Sequence, residues 1–523
     1  MIRKTIALVL CIAIFATLLV GCGKNNAETS SSTPGMVGNV VGLGGNLSSK
    51  LVLKSPSNEI YYGNTVSVSW SGLREGETLT LIIEKKDGNS YKKVLEKTGL
   101  TGTSFESGDK LENECVYRFT IKAVASDGTE RAADNNGFEC TVLNTTVKGD
   151  VNAGMNFTFN GSISEVVLNN YLSRAMTYTY AGGEIAKDSK RVILNTGVKY
   201  VACAVVAWFP SPANEAFLPG IKTWMDDIHK TDPDIIFEAC IFETCGPEIS
   251  NFEIPEHVFK AFGQTPEKRS FNYKKMLYPD GFGNAQWNAT HGVPDITQLE
   301  TQMFFYYRAC NYIDMGIEAL HLGQTGLMGR NDPERKSWTK VIHLIREYAK
   351  THARRKYVLI NSHYAGHNFV GTDGVMLADF TMFPLRLKPI TGKPQTCELN
   401  FSLDAPYKKG IKGTSPSGWT TSKYPYLVEF DNYGTPSASS PLNIWGYDEI
   451  SWFANQPDAY RRQFLTDVRK MVAELNENGH VAMPGRRSTA GLSVSWYIVN
   501  NSKYVKEGFS DEEAVIAAFK AYK

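Results

Sequence analysis

The sequence predicts a two-part protein: an all-β sandwich over residues 51–147, then an α/β part over 148–523 with the pattern of a (β/α)8 TIM barrel. Three observations predict this. Short alternating runs such as TVSVSW (65–70), TLTLIIEK (78–85) and FECTVL (138–143) are punctuated by Ser71-Gly72, Asp87-Gly88 and Asp127-Gly128, with no helical period among them. Beyond residue 150, apolar runs alternate with stretches whose apolar residues recur at steps of three and four. Eight strand-like runs start at 200, 234, 317, 357, 375, 397, 426 and 480. A doubly wound open sheet is the alternative, since no good helix separates the fifth run from the sixth.

The chain opens MIRKTIALVLCIAIFATLLVGCGKNN, with Arg3 and Lys4 before an apolar run from Ile6 to Val20. That run is short for a membrane span. With LVGC at 19–22 it resembles a bacterial lipoprotein signal over residues 1–22. The resemblance implies cleavage after Gly21, lipid on the Cys22 thiol, and attachment to the membrane at the bacterial cell surface, outside the cytoplasm. Residues 23–50 are rich in Gly, Ser, Asn and Thr and read as a flexible tether.

In the first folded part, Tyr117, Phe119, Ile121 and Ala123 share one face of a strand, and Val116, Arg118 and Thr120 share the other. The stretch YRFTIKAVASDG resembles the penultimate strand of immunoglobulin-like and fibronectin-like modules. Cys115 and Cys140 flank this hairpin, which leaves a disulfide between them open. Spacer or packing partner is the expected role, with carbohydrate binding as the other reading.

The second part begins with 164–181, read as helical and placed under the barrel or as its first helix. YVACAVVAWF (200–209) reads as a parallel strand covered on both faces. A helix from Pro219 places Ile221, Trp224, Met225 and Ile228 on one stripe, and DIIFEACIFET (234–244) is the next strand. A helix near 297–314 leads into GIEALHLG (316–323). Asn331 or Asp332 then caps a helix with Pro333 in its first turn and Trp338, Ile342, Ile345 and Ala349 on its stripe. YVLINSHY (357–364), VMLADFTMF (375–383), the weaker CELNFS (397–402) and YLVEFDN (from 426) come next. A helix over 457–476 carries Tyr460, Phe464, Val468, Met471 and Leu475, HVAMPG (480–485) is the last strand, and Ser510 with Glu513 forms a capping box.

In a barrel of this kind, chemistry sits at the carboxyl ends of the strands. In YLVEFDNYG (426–434), Glu429 and Asp431 are two apart and share a strand face. With Glu243 and Asp379, each placed at a strand end, they are the candidate catalytic carboxylates. Glu238 and Glu318 lie deeper and read as partners of Arg or His. Trp208, Trp287, Gln324, Asn361, His363, Tyr433 and Arg486 are the candidate substrate-binding residues. Aromatic faces stack on the apolar sides of sugar rings, and amide, imidazole and guanidinium groups bond hydroxyls. Glycosidic cleavage needs a protonated carboxyl at the leaving oxygen and a second carboxylate as nucleophile or base.

The chain has 55 basic and 54 acidic residues and no basic run, so a nucleic-acid partner is not expected. Beyond Cys11 and Cys22, seven cysteines remain, an odd number that cannot all pair within the chain. HExxH, GxGxxG and P-loop motifs are absent, and His321, His363 and His367 match no metal signature, so neither an organic cofactor nor zinc is expected, while calcium held by Asp and Asn of the long loops stays open.

This arrangement resembles secreted TIM-barrel glycoside hydrolases with an accessory β-sandwich. The resemblance implies hydrolysis of an extracellular polysaccharide or glycoconjugate by paired carboxylates, without a cofactor. In the largest clan of these enzymes an Asn-Glu pair ends strand four and a Glu ends strand seven. Glu429 matches the second position, whereas the run read as strand four offers Asn361, Ser362 and His363 and no Glu. That departure keeps a second expectation open: a surface lipoprotein that binds glycans without cleaving them.

Overall fold

The computed structural model describes residues 50–56, 60–62, 65–112, 115–143, 151–389, 397–399, 404–407, 409, 411–433, 448–489, 495–501, 504–505 and 507–521. The leader with Cys22 and nearly all of the tether lie outside the described residues. No helix among the described residues is long and apolar enough to cross a membrane.

The punctuated runs of the first part form nine strands: β1 (Val52–Ser55), β2 (Ile60–Tyr62), β3 (Thr65–Ser71), β4 (Thr78–Asp87), β5 (Ser90–Leu100), β6 (Ser104–Lys110), β7 (Val116–Val124), β8 (Glu130–Ala132) and β9 (Phe138–Leu143). They make two sheets, β1-β3-β6 and β2-β9-β7-β4-β5, with β8 beside β7. Along β7 the two-residue period buries Tyr117, Phe119, Ile121 and Ala123. They share a core with Val66, Val68 and Trp70 of the other sheet. Cys115 and Cys140 are both free thiols. The register explains it: Cys140 stands opposite Tyr117, two residues beyond Cys115, so the thiols are offset. Hydrogen bonds tie this part to the C-terminal segment of the chain: the Ser69 hydroxyl donates to Asn501 Oδ1 (3.1 Å) and the Ser510 hydroxyl to the Lys54 carbonyl (2.8 Å).

Parallel strands run in chain order around a curled sheet: β10 (Ala175–Tyr178), β11 (Tyr200–Val205), β12 (Ile236–Cys240), β13 (Ala319–His321), β14 (Leu359–Ser362) and β15 (Phe380–Pro384). Two small antiparallel hairpins intervene, β16 (Lys388–Pro389) with β17 (Cys397–Glu398), and β18 (Gly413–Thr414) with β19 (Thr420–Thr421). The sheet resumes with β20 (Tyr426–Glu429), β21 (Gly479–Val481) and β22 (Met483–Ser488), and β23 (Trp496–Ile498) adds an antiparallel edge on β22. β21 pairs with β20 and β22 pairs with β10, with Ala482 alone between them. One continuous segment therefore joins the two ends of the parallel order.

Two strand assignments change. The run at 397 contributes only a two-residue hairpin arm outside the curled sheet. The run 164–181 is not wholly helical. Helix α1 (Glu165–Leu172) stops at Ser173, and AMTY continues as β10 with all four residues buried. The apolar, β-branched and aromatic composition of this short run favours a buried strand. VMLADFTMF enters the sheet only at Phe380, so Asp379 precedes its strand instead of ending it.

The outer helices are α2 (Gly183–Thr196), α3 (Leu218–His229), α4 (Glu256–Ala261), α5 (Leu299–Asp314), α6 (Thr325–Met328), α7 (Lys336–His352), α8 (Glu449–Ala454), α9 (Asp458–Leu475) and α10 (Glu512–Lys520). α3 buries Ile221, Trp224, Met225 and Ile228 as its spacing predicts. Pro333 precedes α7 rather than sitting in it, while Asp332 accepts from the Ser337 and Trp338 amides. Met471 of α9 is exposed, and Val472 takes the buried place. The capping box at α10 does not form: Ser510 has a left-handed φ of 57° instead of the extended backbone of a cap, and the residue at the cap is Asp511, without a side-chain cap bond.

The inner face of the sheet is filled by Tyr200, Ala202, Ile236, Leu359, Phe380 and Leu427, with Leu168, Tyr171 and Leu172 of α1 in the same core. Charged pairs stand at the amino ends of the strands: Lys199–Asp232 (2.9 Å), Glu318 with Arg354 and Arg355, and Asp379–Arg346 (3.0 Å). That end is closed by packing and ion pairs, which leaves the carboxyl ends for chemistry.

Candidate active site

Four consecutive strands, β11 to β14, place inward side chains in one connected network, and β20 reaches it through Glu429. Glu238 of β12 is fully buried and accepts from the Tyr200 hydroxyl (2.5 Å), the Cys203 amide (2.9 Å) and Asn361 Nδ2 (2.5 Å). The Cys203 amide reaches it because β11 bulges between Val201 and Val205, with Cys203 at φ 52°. A left-handed φ on a non-glycine residue is uncommon and gathers at functional sites. Asn361 Oδ1 in turn faces His321 Nδ1 at 2.6 Å. The ligand atoms of Cys203, Glu238 and Cys240 lie within 4.8 Å of one another, so these three could hold a metal ion. In the structure Glu238 is already bonded by three protein donors, and burial holds the Cys240 thiol well above its ordinary pKa.

Glu429 ends β20 and is 6 % exposed. Its carboxylate pairs with Arg487 Nη1 (3.2 Å) and lies 3.9 Å from Cys203 Sγ. Arg487 Nη2 pairs with Asp431 at 2.9 Å. Burial pushes the Glu429 carboxyl up to about 6; Arg487 opposes this, and repulsion from Asp431 and Glu238 adds to it. Burial wins because the guanidinium is shared between two carboxylates. Beside them, burial also pushes Asp448 up to about 6 and Glu449 well above the usual range. Asp448 caps α8 through the Ser451 amide (2.9 Å), and Glu449 accepts from the Arg386 amide (2.9 Å).

Glu243 lies just beyond β12 and is buried. Gln324 grips both its oxygens, through its backbone amide (3.0 Å) and its side-chain Nε2 (2.6 Å). Gly323 makes this approach possible: its φ is +61°, and a Cβ there would collide with the Glu243 carboxylate. The Glu243 carbonyl accepts from Trp287 Nε1 (2.9 Å). Trp208 packs against Trp287 (ring centroids 5.2 Å apart) and Phe242 (5.0 Å), and Phe242 meets His321 edge-on at 6.0 Å. Both tryptophans and Phe242 are half-buried, so aromatic surface borders the network.

The structure thus gathers Glu429, Asp431 and Asn361 around one network, and Glu243, Gln324, Trp208 and Trp287 beside it. Others stand apart. Asp379 is at the amino end of β15, held by Arg346, the Tyr357 hydroxyl and the Ile360 amide. His363 lies against Phe383 and pairs with Asp404 (3.4 Å) and, through it, Arg386. Arg486 is buried under Trp496 and donates to the Thr179 and Tyr180 carbonyls, so the neighbouring Arg487 serves the carboxylates. Tyr433 is 52 % exposed. Sequence reasoning reads Glu238 only as a deep partner of Arg or His, gives His321 no site role, and names Arg486 where the structure pairs Arg487 with the two carboxylates; strand alternation cannot separate the two arginines where β10 and β22 shift register. A cleft of about 220 Å³ among the ends of α3, α5 and α7, lined by Asp226, His229, Asp314 and Arg354, contains none of these residues.

No protein-family profile matches the chain, and no curated protein does. Among solved structures it is similar to the type III pullulan hydrolase of Thermococcus kodakarensis, with 12% identity, 90% of this chain and 85% of that chain covered, and a TM-score of 0.36. A GH27 β-L-arabinopyranosidase from Geobacillus stearothermophilus is similar at 11% identity over 67% of this chain and 77% of its own, with a TM-score of 0.32. The galactosidase domain of an α-galactosidase–sucrose kinase is similar at 11% identity over 57% and 50%, with a TM-score of 0.22.

Proposed function

We propose that this protein hydrolyses glycosidic bonds of an extracellular polysaccharide or glycoconjugate, with the curled sheet acting as a (β/α)8 barrel and Glu429 as its protonated acid. The observation that carries the proposal is the buried Glu429 carboxyl, pushed up to about 6 beside carboxylates and an aromatic shelf. A carboxyl with that pKa keeps a proton to give in mildly acidic solution, up to about pH 6, where an ordinary Glu is already ionised. It protonates the leaving oxygen as the bond to the anomeric carbon breaks. Glu243, at the end of the strand four places from β20 in the sheet order, is the second carboxylate. It either attacks the anomeric carbon or takes a proton from the attacking water, and the separation of the two carboxyls decides which. Trp208 and Trp287 supply a stacking face. Lipidation at Cys22 tethers the enzyme at the cell surface, and the β-rich part serves as spacer.

A glycan-binding protein without hydrolysis is the second reading, favoured by Gln324 occupying both oxygens of Glu243. The soluble form, residues 23–523, separates the two when incubated with a broad glycan panel. New reducing ends from the wild type, lost in folded Glu429→Gln and Glu243→Gln, support hydrolysis. Binding without release in all three supports the binder and rejects the enzyme.

A further inference from the structure

The hydrogen-bond chain from Glu238 to His321 has a direction. Glu238 Oε2 accepts from the Cys203 amide at 2.9 Å, and Oε1 accepts from the Tyr200 hydroxyl, which burial keeps protonated. The Asn361 group turned to Oε1 must therefore be its NH2, at 2.5 Å. That leaves Asn361 Oδ1, an acceptor, 2.6 Å from His321 Nδ1. An acceptor there requires a proton on Nδ1, so in its neutral form the His321 ring has a bare lone pair on Nε2. Among the described residues Nε2 has no protein hydrogen-bond partner. The ring lies beside Phe242 and within electrostatic reach of Glu429.

We infer, resting on the proposed glycan site, that His321 is a hydrogen-bond acceptor in that site and that the sugar facing it presents a free hydroxyl there. A lone pair fixed in this tautomer accepts O–H. It offers nothing to a deoxy, O-methylated or O-acylated position and repels an anionic group. His321 thereby selects among glycans, while Asn361 is a positioning residue that sets the tautomer. A neutral histidine side chain free in water favours the proton on Nε2, so the tautomer here is imposed by the protein.

The test begins without a ligand. Nitrogen-15 NMR of histidine-labelled soluble protein at pH 7.5, with His321 assigned by comparison with His321→Gln, is expected to show a protonated Nδ1 and a pyridine-type Nε2. Asn361→Leu is expected to move the proton to Nε2. The wild-type spectrum stands by itself if that variant does not fold. A protonated Nε2 in the wild type overturns the inference without touching the hydrolase reading. Methyl glycosides of common hexoses and pentoses are then titrated. A binder is expected to shift the Nε2 resonance, and one of its monodeoxy analogues to bind about tenfold more weakly, a difference absent in His321→Phe. Equal binding of every analogue overturns the hydroxyl assignment. Failure of the whole panel to bind, with the tautomer as expected, overturns the glycan-site reading on which that assignment rests.

Discussion

Replacing Glu429 by Gln should make the protein more stable, and increasingly so as pH rises. The carboxyl lies at 4.5 in the unfolded chain and about 6 in the fold, because burial disfavours its charged form more than Arg487 favours it. A carboxyl whose folded pKa is raised contributes fully below its unfolded pKa. That contribution is lost as pH climbs from 4.5 through about 6. The loss is about 0.2 kcal/mol at pH 4 and reaches about 2 kcal/mol by pH 8, at 1.36 kcal/mol for each pKa unit. Gln resembles the protonated carboxyl in shape and charge, so the variant escapes it. Urea unfolding of both proteins at pH 4.5, 6 and 8 measures the difference. The variant is expected to gain about 1.6 kcal/mol relative to the wild type from pH 4.5 to pH 8, with unchanged m-value. A difference independent of pH, or one that moves against the variant as pH rises, refutes the reasoning and shows that Arg487 holds Glu429 ionised.

Arg487→Met strands Glu429 and Asp431 without their shared cation, and is expected to cost about 3–5 kcal/mol at pH 8 and less at pH 5, where Glu429 protonates, read by the same unfolding series. Gly323→Ala forces a left-handed alanine against the Glu243 carboxylate; we expect a stability loss of about 1–3 kcal/mol together with loss of glycan release. Asp379→Asn leaves Arg346 buried without its anion and should destabilise by about 3 kcal/mol, yet leave the pH–rate profile of the surviving folded enzyme unchanged, because this pair stands at the opposite strand end.

Legibility in the sequence varies from element to element. Long periodic stretches are legible: the stripe Ile221, Trp224, Met225 and Ile228 is the buried face of α3, and alternation along β7 marks its buried face. Short buried strands are not, because periodicity cannot tell four apolar residues from a helical turn. β10 is therefore absorbed into the helix before it, and the hairpin at 397 takes its place among the eight strand-like runs. Asp379 is misplaced because VMLADF looks like a strand ending in an acid, whereas the sheet begins one residue later. Glu429 and Asp431 are legible as a pair from their spacing. The links that give the pair its chemistry, Arg487 and the chain Glu238–Asn361–His321, come from separate strands and exist only in the fold.

Glu429 acting as a protonated acid is the central claim. The most direct measurement is the pH dependence of kcat/KM for reducing-end release on the first glycan the panel identifies, for wild type and Glu429→Gln. The expected result is a descending limb near pH 6 in the wild type, since activity is lost as the carboxyl ionises, and no measurable release by the variant. Undiminished activity through pH 8, or release by Glu429→Gln at the wild-type rate, would contradict it.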